Sequence, residues 1–129
     1  MNITQRPAID RLRDMGYLPA EVLWCEDEIQ RLAAQIKHLE ELKVPVPQSD
    51  FDEVIALINE RKAKCEAELQ WCIDLITSTE VKDPVLYQIL YLHFVEGLNW
   101  VKTALKLPMK YSGDACRQRV YRWLATLEE

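Results

Sequence analysis

Two runs of apolar residues at heptad spacing, separated by a segment that holds Pro45 and Pro47, constrain this chain more than any other feature. The first run falls at Val22, Cys25, Ile29, Leu32, Ile36 and Leu39. The second falls at Phe51, Ile55, Ile58, Lys62, Cys65, Leu69, Cys72 and Ile76. Steps that alternate between three and four keep one stripe of a helix apolar along its length. The two prolines lack amide donors and forbid a single continuous helix. Helices joined by a loop this short return on each other, so the pattern predicts an antiparallel coiled-coil hairpin in which Cys25 lies beside the stretch from Cys65 to Cys72. Lys62 is the polar break in the second stripe. Ser49 with Asp52, or Asp50 with Glu53, has capping-box spacing at the start of the second helix.

The flanking segments are helical by the same reasoning. Pro7 to Met15 predicts a short helix capped by Gly16, with Leu18 and Pro19 breaking the chain before the long helix that starts at Ala20. Beyond the hairpin, Asp83 and Pro84 make an N-cap followed by proline at the first helical position. The helix they open is thick with apolar residues from Val85 to Val95 and stops at Gly97. Asn99 opens a short helix to about Lys106, with Val101, Ala104 and Leu105 expected inward, and Pro108 bars its extension. Ser112 caps a last helix whose inward side is Cys116, Val120, Trp123 or Leu124, and Leu127. Trp100 and Trp123 are expected to pack between the middle and last of these helices. Only 3 Gly and 6 Pro occur in 129 residues, too few for the turns of a β-sandwich or the glycine-rich strand ends of an α/β enzyme. The predicted fold class is therefore all-α, with a short helix and coiled-coil hairpin over 1–80 and a three-helix bundle over 81–129.

Several functions are disfavoured on the same evidence. No apolar run reaches the ~18 residues of a membrane span, and the amino end carries no apolar signal core, so a cytoplasmic chain without a membrane partner is expected. Cys25, Cys65, Cys72 and Cys116 form no C-x-x-C pair, and His38 and His93 share no helix face with a further ligand. These read as reduced packing thiols and ordinary helical histidines, with no metal and no cofactor. P-loop, G-x-G-x-x-G and G-x-S-x-G patterns are missing, and no paired acid and base stands out, so the chain is not expected to be an enzyme.

Charge is distributed unevenly. Residues 1–99 carry ten Lys and Arg against eighteen Asp and Glu, a net of −8, whereas residues 100–129 carry six against three, a net of +3. A basic end on an acidic chain is one footprint of nucleic-acid contact, though a solvated helix face has the same look. The three closing helices, with a short middle one and a capped, basic last one, have the proportions of a helix-turn-helix. Opposite Cys116, Val120 and Leu124 on the last helix lie Asp114, Arg117, Gln118, Tyr121 and Arg122. Arg and Gln read guanine and adenine edges with two hydrogen bonds, and Tyr and Lys hold phosphates.

The run Leu90-Tyr91-Leu92-His93-Phe94-Val95-Glu96-Gly97-Leu98-Asn99-Trp100-Val101-Lys102-Thr103-Ala104-Leu105 resembles the "lRyieg-sW-eiA" stretch of the sigma-70 region 4-like regulators of phages and prophages. The segment from Ser112 to Leu124 is similar to their last helix, and the RinA- and ArpU-like regulators of late phage genes belong to that group. His93, Val101 and Thr103 depart from its usual Arg, Glu and Ile, and the turn from Lys106 to Ser112 is longer. The resemblance implies a duplex-DNA-binding transcription regulator. Arg117, Gln118 and Tyr121 would face the major groove, and Ser112, Lys110 and Lys102 would lie on phosphates. Arg122 adds charge to the same exposed side. The hairpin would then engage a second copy of the chain, RNA polymerase or another transcription protein. A different class, a helical assembly adaptor of the phage packaging or structural kind without sequence-specific DNA binding, draws support from the acidic body and the pI near 5.1.

Overall fold

A computed structural model describes residues 6–127, and every regular element in them is helical: α1 (Ala8–Asp14), α2 (Leu18–Glu41), α3 (Gln48–Thr77), α4 (Pro84–Leu90), α5 (Trp100–Lys106) and α6 (Gly113–Leu127). A π-helical turn, Tyr91–Val95, extends α4. Among the described residues no helix is long and apolar enough to cross a membrane. The described residues form two compact units, one of Tyr17–Leu69 and one that joins those up to Gly16 with those from Gln70 onward. The predicted division at residue 80 falls inside the second of these.

In the Tyr17–Leu69 unit, α2 begins at Leu18 and takes Pro19 into its first turn, where a missing amide costs nothing because that donor has no intrahelical partner. The helix ends with the Lys43 amide on the Glu40 carbonyl at 3.0 Å and the Val44 amide on that of Leu39 at 3.1 Å. These are the two bonds of a Schellman cap, and they hold Lys43 at a φ of 56° where glycine is usual. The next helix starts from the Pro47 carbonyl, which accepts from the amides of Asp50 and Phe51 at 3.1 and 3.2 Å. That start draws Ser49 and Asp50 into the first turn, where neither serves as the predicted cap, while the Gln48 side-chain Nε2 donates to Asp52 Oδ1 at 2.8 Å.

The heptad stripes face inward in this unit. Cys25 and Leu32 are buried, and Val22, Ile29, Ile36, Leu39, Ile55, Ile58, Lys62, Cys65 and Leu69 are half-buried. Glu21 pairs with Arg61, Lys62 Nζ lies 3.3 Å from Glu26, and the Arg61 guanidinium stands 5.0 Å from the Trp24 ring. Glu26 and Lys62 lie 16 and 15 residues from the 42–47 connection, as an antiparallel return requires. Burial pushes the Cys65 thiol up, with the Glu21 carboxylate and Cys25 adding to the effect, so it stays protonated as packing demands.

In the second unit, α1 rests on the end of α3. Leu12 is fully buried, Cys72 Sγ donates to the Arg11 carbonyl at 3.5 Å, and the Arg11 guanidinium lies 3.4 Å from the centre of the Trp71 ring. Met15 ends α1, and Gly16 does not take the left-handed conformation expected of a cap. Asp83 accepts from the Leu86 amide at 3.1 Å and Pro84 follows it, as the sequence predicts. Leu86, Ile89, Leu90 and Phe94 form the buried face of α4 and its extension. The π turn arises where the Glu96 amide reaches Tyr91, five residues back, at 3.0 Å, and Gly97 then ends the helix with a φ of 73°.

Asn99 caps α5 through the Lys102 amide at 2.8 Å. The inward stripe is Thr103, Ala104 and Leu107, with Trp100 half-buried beside them, while Val101 and Leu105 are 64% and 79% exposed, opposite to the prediction. Thr103 tolerates full burial because its hydroxyl donates to the Leu98 carbonyl at 3.4 Å, a partner invisible in an apolar/polar pattern. Ser112 caps α6 by accepting from the Ala115 amide at 3.0 Å, and Cys116, Val120 and Leu124 are buried, whereas Leu127 at the helix end is exposed. At Gly113 the start of α6 lies close against the backbone of α5. A Cβ there would meet Trp100 C and Val101 N at 3.0 Å, a contact that only a shift of backbone relieves.

Candidate nucleic-acid interface

The Gly113 contact brings the start of α6 against the start of α5, which sets Lys102 one residue from the junction. Lys110 precedes Ser112 in the connection. Both lysines are exposed, and among the described residues neither has an ion-pair partner. Ser112 uses its oxygen as the helix cap, which leaves its hydroxyl hydrogen available to a further acceptor.

On α6, Asp114, Arg117, Gln118, Tyr121 and Arg122 are all exposed and opposite the buried Cys116, Val120 and Leu124, the disposition the 3.6-residue period predicts. Two of them converge on one carboxylate. Arg117 donates to Asp114 Oδ1 through Nη2 at 2.6 Å and Nε at 3.2 Å, and Gln118 Nε2 donates to Asp114 Oδ2 at 2.9 Å. The hydrogen bond and charge of Asp114 raise the Arg117 pKa further, so the guanidinium is permanently cationic. It also lies 5.8 Å from the Tyr121 ring centre. Arg122 bends back to its own helix, with Nε donating to the Gln118 carbonyl at 3.4 Å, and among the described residues its charge has no carboxylate partner.

A cation absent from the sequence-based set joins this face. Arg13 of α1 donates through Nη2 to the Tyr121 hydroxyl at 2.9 Å, and its Nη1 lies 3.9 Å from Asp10 Oδ1. The two residues are 108 positions apart, and nothing in the local pattern of α1 announces that its basic side meets α6. Arg119, in contrast, is committed to the fold. Its Nη2 bonds both oxygens of Asp83 at 2.8 and 3.0 Å, tying α6 to the cap of α4.

The joint that feeds α5 is built on His93. Its Nδ1–H donates to the Leu98 carbonyl at 2.6 Å, its ring stacks on Trp100 with centroids 3.6 Å apart, and Phe94 packs edge-on at 4.8 Å. Burial holds its pKa below the ordinary value. The Leu98 bond opposes that shift and the Arg13 charge reinforces it. The Trp100 ring is thus taken up by a packing stack on the turn that precedes α5.

Chemically, the assembled face offers hydrogen-bond donors and positive charge on an exposed helix, and among the described residues no group of His, Cys, Asp and Glu is arranged to hold a metal. Comparison with family models, with curated proteins and with solved structures finds no match for the chain.

Proposed function

We propose that the chain is a duplex-DNA-binding transcription regulator of the phage or prophage sigma-70 region 4-like kind, with α6 as its recognition helix. The observation that carries this reading is the outer face of α6. Arg117 and Gln118 lie within its first turns, beside Tyr121 and Arg13, on a helix held at its start by a side-chain-free contact with a short preceding helix. A helix entering the major groove presents its amino-terminal side chains to base edges, and Arg with Gln supplies the two-pronged donors and acceptors that guanine and adenine match. Lys102, Lys110, Ser112 and Arg13 suit phosphates on either side, and Arg122 adds charge further along. This reading needs no cofactor and assigns no catalysis. Exposed Leu23, Val54 and Leu57 on the α2–α3 unit supply apolar surface for a second copy of the chain, RNA polymerase or another transcription protein.

Alanine substitution tests the assignment. Arg117→Ala or Gln118→Ala is expected to lose about 1 to 3 kcal/mol on the preferred duplex while leaving mixed-sequence DNA nearly unaffected. Lys110→Ala is expected to weaken all sequences alike and to lower the salt slope by about one. If Arg117→Ala folds and binds the best site as tightly as the parent, α6 is not a recognition helix.

One observation favours the adaptor reading. Val101 and Leu105 form an exposed apolar pair along α5, which suits a protein partner better than a phosphate backbone. That reading prevails if the intact chain binds no duplex at low salt.

A further inference from the structure

We propose that Asp114 is a specificity-determining residue of the DNA face, acting by positioning Arg117 and Gln118 for base edges and by lowering their attraction to phosphate; the proposal rests on the DNA-binding reading above. A guanidinium has five N–H donors in a planar fork. Asp114 Oδ1 takes the side of that fork formed by Nε and Nη2, at 3.2 and 2.6 Å. The end formed by Nη1 and the second hydrogen of Nη2 stays unused by Asp114, and this end is the pair that matches guanine N7 and O6. Gln118 is held in the same manner. One of its amide hydrogens goes to Asp114 Oδ2 at 2.9 Å, leaving the second hydrogen and the carbonyl oxygen, the donor–acceptor pair that adenine N7 and N6 require.

Two consequences follow. Side chains already fixed by a common carboxylate lose less rotamer freedom on meeting a base, so the preferred sequence gains. A phosphate, by contrast, meets an Arg117 whose charge is offset by a neighbouring carboxylate, and Asp114 itself repels the backbone. Mixed-sequence binding is therefore suppressed while base-specific binding is kept. In a chain with a net charge of −5, removal of one exposed acidic group far from this face has little local effect, so a large response at Asp114 is diagnostic.

The test compares the parent chain with Asp114→Ala and Asp114→Asn on two probes: a mixed-sequence duplex, and the best duplex that the parent recovers from a random pool. Asp114→Ala is expected to bind mixed-sequence DNA several-fold more tightly, with a salt slope steeper by about one, while its preference for the best duplex falls about tenfold. The near-isosteric Asp114→Asn keeps an acceptor for Arg117 but removes the charge, and it is expected to tighten mixed-sequence binding while retaining more of the preference. It also carries the test if circular dichroism shows that the alanine variant has lost its helices. The proposal is overturned if both variants keep the parent's affinities on both probes, or weaken on both equally. A parent that binds no duplex at all overturns the DNA-binding reading itself.

Discussion

His93 joins the π-helical turn to α5 through one hydrogen bond and one stacked ring, and its burial gives the fold a dependence on pH. With the folded pKa held below the ordinary value of 6.5, the unfolded chain takes up a proton at a pH where the folded chain still resists it. Stability from this site is therefore complete above about pH 6.5 and is lost as pH falls through the folded pKa. The melting temperature is expected to fall as pH is lowered from about 7 to 5, ahead of the carboxylate range. His93→Asn, whose amide can still donate to Leu98, is expected to flatten that part of the curve. An unchanged curve in the variant would show that His93 does not couple to folding.

At the scale of elements, two contacts define the account. Gly113→Ala forces a Cβ to within 3.0 Å of the Trp100 and Val101 backbone, which cannot rotate aside as a side chain would. A loss of about 1 to 3 kcal/mol in a denaturant titration is expected, and a variant as stable as the parent would mean that α5 and α6 are further apart. In the other unit, Lys62 occupies an inward heptad position with 28% of its side chain exposed and Glu26 as its ion partner. That pair is exposed enough to contribute little, and Glu26 keeps its own access to water. Lys62→Leu is thus expected to raise stability by about 1 kcal/mol through apolar burial, and a lower melting temperature would contradict the inward register.

These elements also show what a sequence carries and what it hides. The heptad stripes, the Asp83, Asn99 and Ser112 caps and the outward face of α6 were legible because each depends on residues within a turn or two of one another. The inward face of α5 was not, since Thr103 is buried on the strength of a carbonyl partner and displaces the more apolar Val101 and Leu105 to the surface. The π turn adds one residue to a helix without a proline or glycine to mark it. Arg13 reached the candidate face through tertiary packing across 108 positions. Asp114 was visible on the right side of α6, but its grip on both Arg117 and Gln118 depends on rotamers that spacing alone does not fix.

For the molecule as a whole, the decisive contrast is between a net charge of −5 and the exposed cations Arg13, Lys102, Lys110 and Arg122 on and beside α5 and α6. Total charge opposes approach to a polyanion, whereas exposed cations on the docking side favour it within a Debye length of about 10 Å at 0.1 M salt. Phosphate contacts release counterions, so the affinity they supply falls steeply as salt rises. The most direct measurement is a titration of the intact chain onto mixed-sequence duplex DNA at two salt concentrations, about 50 and 200 mM. The account predicts clear binding at the lower concentration that weakens at least tenfold at the higher, as a few phosphate contacts require. Absence of binding at the lower concentration would contradict it and leave α5 and α6 as a surface for another protein.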